Sequence, residues 1–312
     1  MIHSFWWNRP KGYNYSNERE RRRWEYIMHS VVFTPDGLSI IAGDCEGNVF
    51  CWDFVTGALR WRKIGDAPQQ GHGRYGVVDV SPDGKLVASS GADGHVRTWD
   101  VATGVLIADI DLGVIYNFTL TNVENIFDVH ALAFSPDGTW IACGMGEHEH
   151  SIDPILGVDT HTWSVFRVGE FLNKRYSAVH RIIFSPDGRR LVTCAEDGIR
   201  VYLVSESSDK LGQKRLHGGE RRLGYFFQDG VETEDFISTD NIALTNTGRG
   251  LFLLVEHDHG QETYIECINL ITESPTFALH NDEGIGIVDV SRDGCWLTVG
   301  TEGDIIVLDL RK

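Results

Sequence analysis

Val80-Ser-Pro-Asp-Gly-Lys-Leu-Val-Ala-Ser-Ser-Gly-Ala-Asp-Gly-His-Val-Arg-Thr-Trp-Asp100 decides how the rest of the sequence is read. An apolar run arrives at Pro82-Asp83-Gly84, where proline pre-sets φ and glycine accepts a positive φ. A second run, Lys85 to Ser89, follows at once. The short turn Ala92-Asp93-Gly94 leads to a third run, Val96 to Trp99. Strands joined by turns this tight are antiparallel neighbours, so the stretch predicts a meander.

The same unit returns along the chain. Phe33-Thr-Pro-Asp-Gly37, Phe134-Ser-Pro-Asp-Gly138 and Phe184-Ser-Pro-Asp-Gly188 repeat the turn, and Leu244-Thr-Asn-Thr-Gly248 and Val290-Ser-Arg-Asp-Gly294 are worn copies. Successive copies start 46 to 60 residues apart. A fixed period of this size marks a repeat architecture. No amphipathic helix of useful length interrupts the runs.

From Gly84 to Asp100 the second copy resembles the WD40 repeat at almost every position, and Trp52-Asp53 gives a second Trp-Asp pair. The resemblance covers most of the chain. It implies an all-β, WD40-type β-propeller of four-stranded antiparallel blades, with residues 1–312 forming one domain. Residues 29–312 then hold six repeats, so six blades are expected, with seven as the alternative because the family most often has seven. The resemblance also implies a ring closed by an N-terminal strand from residues 1–28, with Trp24 to Met28 expected beside Ile305 to Leu310. The family's hydrogen-bond set maps onto His72, Ser89, Asp93 and Trp99, all structural positions. Repeat one departs from it with Ala42 and Glu46, repeat four with Tyr202 and repeat six with Leu308.

Composition narrows the function. Hydrophobic residues are 42 % and charged residues 23 %, as in ordinary folded domains. The 45 acidic against 28 basic residues give a net charge of −17. Such a body repels phosphate backbones, so nucleic acid is not an expected partner of the body. The basic run Arg19 to Arg23 is read as a solvated segment, with an acidic partner, an RNA or a membrane surface as the sharper alternatives. Six cysteines show no zinc spacing, no stretch is apolar enough to span a bilayer, and an intracellular, cytoplasmic, soluble protein is expected. P-loop, dinucleotide and nucleophile-elbow motifs are missing, so no catalytic residue and no cofactor are expected.

One register coincidence points to a site. Four residues before the leading residue of each turn stand His29, Gly76, His130, His180, Asp240 and Gly286. The resemblance implies that this position opens the innermost strand and faces the central channel. His29, His130, His180 and Asp240 are therefore candidate partner- or ligand-binding residues, and water-lined polar groups are the plainer alternative. Imidazoles with a carboxylate could also hold a divalent metal, though no metal is expected. His148-Glu-His150 and His257-Asp-His259 offer a weaker chelating geometry.

Long connections at Gly113 to Asp128 and Lys210 to Phe236 are expected recognition loops. Arg221, Arg222, Tyr225, Phe226 and Phe227 form the candidate loop contact, because aromatics and arginines anchor interfaces. Trp6, Trp7, Tyr13, Tyr15 and Tyr176 also lie outside the clearest strands. Together these observations predict a non-enzymatic protein–protein interaction scaffold, a subunit or adaptor of a multiprotein complex, whose partners are one or more proteins. No homo-oligomer is indicated. The alternative is a metal- or small-ligand-binding propeller with a histidine-lined channel.

Overall fold

The computed structural model describes residues 28–44, 47–64, 76–90, 93–116, 128–146, 155–168, 178–195, 198–204, 216–222, 236–245, 250–257, 262–269, 275–281, 285–291, 295–301 and 305–311. Apart from one short 3-10 turn at Leu112–Tyr116, every regular element among them is a strand.

The first sheet contains β1 (Met28–Phe33), β2 (Ser39–Asp44), β3 (Val49–Asp53) and β4 (Leu59–Lys63). The second contains β5 (Val78–Val80), β6 (Leu86–Ser90), β7 (His95–Asp100) and β8 (Leu106–Asp111). The third contains β9 (Val129–Phe134), β10 (Trp140–Met145), β11 (Ile155–Asp159) and β12 (Val165–Arg167). The fourth contains β13 (Val179–Phe184), β14 (Arg190–Ala195), β15 (Gly198–Val204) and β16 (Leu216–Arg222). The fifth contains β17 (Phe236–Leu244), β18 (Gly250–His257), β19 (Glu262–Asn269) and β20 (Pro275–Asn281). The sixth has three strands, β21 (Ile285–Val290), β22 (Trp296–Thr301) and β23 (Ile305–Asp309).

Within each sheet the strands lie in chain order, each next to its sequence neighbour. One register runs through all six. Phe33, Val80, Phe134, Phe184, Leu244 and Val290 each face the second residue of the following strand, respectively Ile40, Val87, Ile141, Leu191, Leu251 and Leu297. A one-residue slip would turn every apolar side chain to the wrong face, so a shared register reflects a shared burial pattern.

The turn that sets this register is rebuilt atom for atom. Ser81 Oγ donates to Asp83 Oδ1 at 2.7 Å and accepts from Leu86 N–H at 2.9 Å. Ser135 with Asp137 and Ser185 with Asp187 repeat the hydroxyl–carboxylate bond at 2.6 Å, and Thr34 with Asp36 at 2.5 Å. These bonds hold the Asp36, Asp83 and Asp187 carboxyls below the usual carboxylate range, although for Asp187 burial opposes them. The chain thus satisfies its turn amides locally, leaving the strands free to pair.

The chain divides into two compact units, residues 1–150 with 156–166, and residues 151–155 with 167–312. In the first unit the core lies between sheets. Ile41, Val49, Cys51 and Trp61 pack with Val78, Val80, Val87 and Trp99. Ala88, Val96 and Ile110 pack in the same way with Leu132, Phe134, Ile141 and Leu156. Strands β2 and β10 are buried along their whole length, which is why they read as continuous apolar runs and do not alternate. In the second unit a smaller cluster joins Ala243, Ile265 and Cys267 to Val288, Leu297 and Val299. Every described sheet is antiparallel, an all-β architecture.

Two expectations change. Five sheets have four strands, so the structure shows five complete blades where six were expected, and the sixth repeat builds three strands. Of the expected closing segment, Trp24 to Met28, only Met28 is described. Met28 opens β1 and faces Asp44, and Trp24 to Ile27 lie outside the described residues. Finally, Lys210 to Phe236 is not simply a loop, because β16 lies inside it and pairs with β15. Arg221 and Arg222 are therefore strand residues; Arg222 faces Arg200 across the ladder. Leu216–Arg222 is too polar and glycine-rich for the sequence pattern to show a strand.

Candidate interaction surface

The inner-strand position is occupied as the repeat register requires. His29, His130 and His180 are each the second residue of their strand, β1, β9 and β13, and Asp240 lies within β17. Their environments differ. His29 is exposed, while His130 and His180 are half-buried. The His130 ring lies against the backbone of Gly146, where an added Cβ would come within 2.8 Å of Nε2. Asp128 Oδ2 stands 4.0 Å from the same nitrogen. His130 is thus held by its own blade. Among the described residues no three histidine, cysteine or acidic side chains are arranged to hold a metal ion.

Gly76 shows why repeat two carries no side chain at this place. A Cβ there would lie 2.0 Å from the Asp44 carbonyl oxygen, so the backbone of the second repeat runs directly against that of the first. Ser30 Oγ ties the same joint by donating to the Val78 carbonyl at 3.2 Å.

Half of the expected hydrogen-bond set is visible. Trp99 Nε1 donates to Ser89 Oγ at 2.9 Å in the buried interior. Asp93 accepts from the His95 amide at 3.2 Å and from Arg97 Nη2 at 2.7 Å, while His72 lies outside the described residues. Asp109 completes an outer network with His95 Nδ1 at 2.7 Å and Arg97 Nε at 3.3 Å. Tyr225, Phe226 and Phe227, the basic run at 19–23, His148, His150 and His259 also lie outside the described residues, as do the N-terminal aromatics and Tyr176.

The feature that sequence reading missed is an apolar patch on the first blade. Phe33 is 52 % exposed, Leu38 51 %, Phe54 39 % and Val55 65 %. The Phe33 and Phe54 rings meet edge to face, their centroids 5.1 Å apart. The residues equivalent to Phe33 in the next three blades, Val80, Phe134 and Phe184, are all buried. Lys85, Thr139 and Arg189 stand where blade one has Leu38, and Ala102 and His161 where it has Val55. Aligning the turns would have shown the anomaly. Large contiguous apolar patches on a folded surface mark interaction sites more often than chance.

The patch is framed by a fixed ion pair. Arg60 Nη2 reaches Asp53 Oδ2 at 2.5 Å and Nη1 donates to Ser39 Oγ at 2.9 Å. Arg60, with the Thr56 amide and hydroxyl, holds the Asp53 carboxyl far below the usual carboxylate range. In the same blade, burial pushes the Cys51 thiol up to about 11.

Comparison with known proteins agrees with the fold. The family described as "WD domain, G-beta repeat" matches residues 67–100, 121–151 and 169–199. The β-propeller domain of Cps50 (Swd1) from Myceliophteria thermophila superimposes with a TM-score of 0.63 at 17 % identity, over 91 % of this chain and 84 % of that one. No curated protein matches the sequence. The chain thus carries WD40 repeats at three positions and has the fold of a β-propeller. No helix among the described residues is long and apolar enough to cross a membrane.

Proposed function

We propose that this chain is a non-enzymatic protein-interaction scaffold, a subunit or adaptor of a larger assembly, and that residues 1–312 act as one domain. The observation that carries the proposal is the exposed Phe33–Leu38–Phe54–Val55 patch, apolar where its equivalents in the next blades are buried, small or polar. WD40 propellers generally serve as binding platforms, which supports the reading. The partner surface is apolar at its centre with a basic or hydrogen-bonding rim, matching the acidic body and Asp53.

His29 at the exposed strand start and the strand residues Arg221 and Arg222 are proposed secondary contacts; Tyr225, Phe226 and Phe227 remain proposed on sequence grounds alone. An intracellular location fits the free thiols of Cys51, Cys143, Cys194, Cys267 and Cys295. The test is native-source purification of wild-type protein beside Leu38→Glu and Val55→Glu, both exposed and tolerant of charge. A stoichiometric partner present with wild type and lost with both variants supports the proposal. Equal recovery with the variants, or a monomer without partner, rejects this patch as the dock.

A further inference from the structure

Asp79 stands in β5 immediately before the residue that leads the turn. The equivalent residues of the first, third, fourth and fifth repeats are Val32, Ala133, Ile183 and Ala243, whereas the sixth has Asp289. A carboxylate here is unexpected, because its neighbours Val78 and Val80 are buried and Asp79 itself is half-buried. Its two oxygens are occupied separately. Val80 N–H donates to Oδ1 at 2.8 Å, and Phe134 N–H donates to Oδ2 at 2.7 Å.

Phe134 belongs to the next blade, as the last residue of β9. β9 is the edge strand of its sheet, and the Phe134 amide points away from the ladder toward the second blade. One carboxylate therefore joins the inner strands of two neighbouring blades, in an environment where a lost partner is costly.

We propose that Asp79 is a proton-operated latch between the second and third blades: ionised, it holds the Val80 and Phe134 amides together, and on taking a proton from solvent it releases Phe134. The carboxylate form accepts at both oxygens; the acid form turns one of them into a donor, which cannot accept equally from an amide. Burial pushes the Asp79 pKa up to about 6, with the two amides pulling against it, so the latch works in mildly acidic solution. The strands packed against β5 are β1, β2, β6 and β9. Their titratable groups are His29 on β1, Asp44 on β2 and His130 on β9, with none on β6.

The experiment is a pH titration of the full chain between 7.5 and 5, following the Phe134 amide proton and the Asp79 carboxyl carbon by NMR. Both are expected to inflect together near pH 6, with the amide moving upfield as its bond weakens. Asp79→Asn removes the inflection at Phe134. Asp289→Asn, which alters the equivalent but exposed carboxylate, leaves it unchanged. A flat Phe134 titration in wild type overturns the proposal without need of any variant. An inflection that survives in Asp79→Asn assigns the change to His29 or His130 and overturns it equally.

Discussion

The indole of Trp61, on the outer strand of the first blade, donates to the Val101 carbonyl of the second blade at 2.8 Å and lies over Gly104. A Cβ on Gly104 would meet the indole at 2.7 Å. At the next joint the sizes are exchanged. Ala108 stands where the first blade has Trp61, facing Thr98 as Trp61 faces Cys51, and Trp163 stands where the second blade has Gly104. Both Ala108 and Trp163 pack on the core shared by the second and third blades. Trp163 is the one non-glycine residue with positive φ among the described residues, at 59°, beside 66° for Gly104. The joint needs one large ring, and either blade can supply it.

The exchange is testable as a cycle. Trp61→Ala, which empties a buried site and strands the Val101 carbonyl, is expected to cost about 3–5 kcal/mol. Ala108→Trp alone overpacks the second joint and costs about 1–3 kcal/mol. Trp163→Gly relieves about 1–2 kcal/mol of left-handed strain but loses its packing. Urea unfolding of the double variant Ala108→Trp/Trp163→Gly should recover most of the combined loss. Simple additivity of the two single changes would show that the sites do not share space.

Stability should depend on pH in two opposite ways. Burial raises the Asp79 pKa to about 6 in the folded chain against 3.8 when exposed; the cost of burying its charge outweighs the two amide bonds, weighs on the fold above pH 6 and is relieved as pH falls toward 4. The span is worth about 3 kcal/mol. Asp309, held down to about 2 by Arg311, contributes in the other direction, its stabilisation disappearing as pH falls through the acid range. Unfolding free energies of wild type minus Asp79→Asn, measured from pH 7 to 4.5, should therefore rise. A flat difference would mean that Asp79 is solvated.

Ser89→Ala should lower stability by about 1 kcal/mol, because it leaves the buried Trp99 N–H without its acceptor. Replacing Trp99 by Phe in the same background should then cost little more on the hydrogen-bond side. Thermal unfolding of the two singles and the double decides it; full additivity would deny the bond any role.

Thiol labelling should separate the cysteines. Cys51, Cys143 and Cys194 are wholly buried, and Cys295 is partly exposed. Mass spectrometry after brief alkylation should find Cys295 modified and these three untouched until denaturant is added. Early labelling of Cys143 would show that its blade opens locally.

The repeating turn, the antiparallel meander and the common register were legible in the residues, because proline, glycine and a hydroxyl–carboxylate pair fix the chain over five residues. The positions of His29, His130 and His180 at their strand starts followed from the same count. The strand at Leu216–Arg222 was not legible, since its one apolar residue and two glycines leave no alternation to find.

By itself, then, the sequence determined what each short segment does: bend, extend or alternate, all governed by interactions within one turn or one hairpin. Tertiary structure alone decided what lies between blades. The exchange of Trp61 for Trp163, the Asp79 bridge to Phe134 and the exposure of Phe33 and Phe54 all depend on residues about 40 or more positions apart along the chain, or on which sheet covers which. Burial is a property of the neighbour as much as of the residue, and the neighbour is fixed only when the sheets pack.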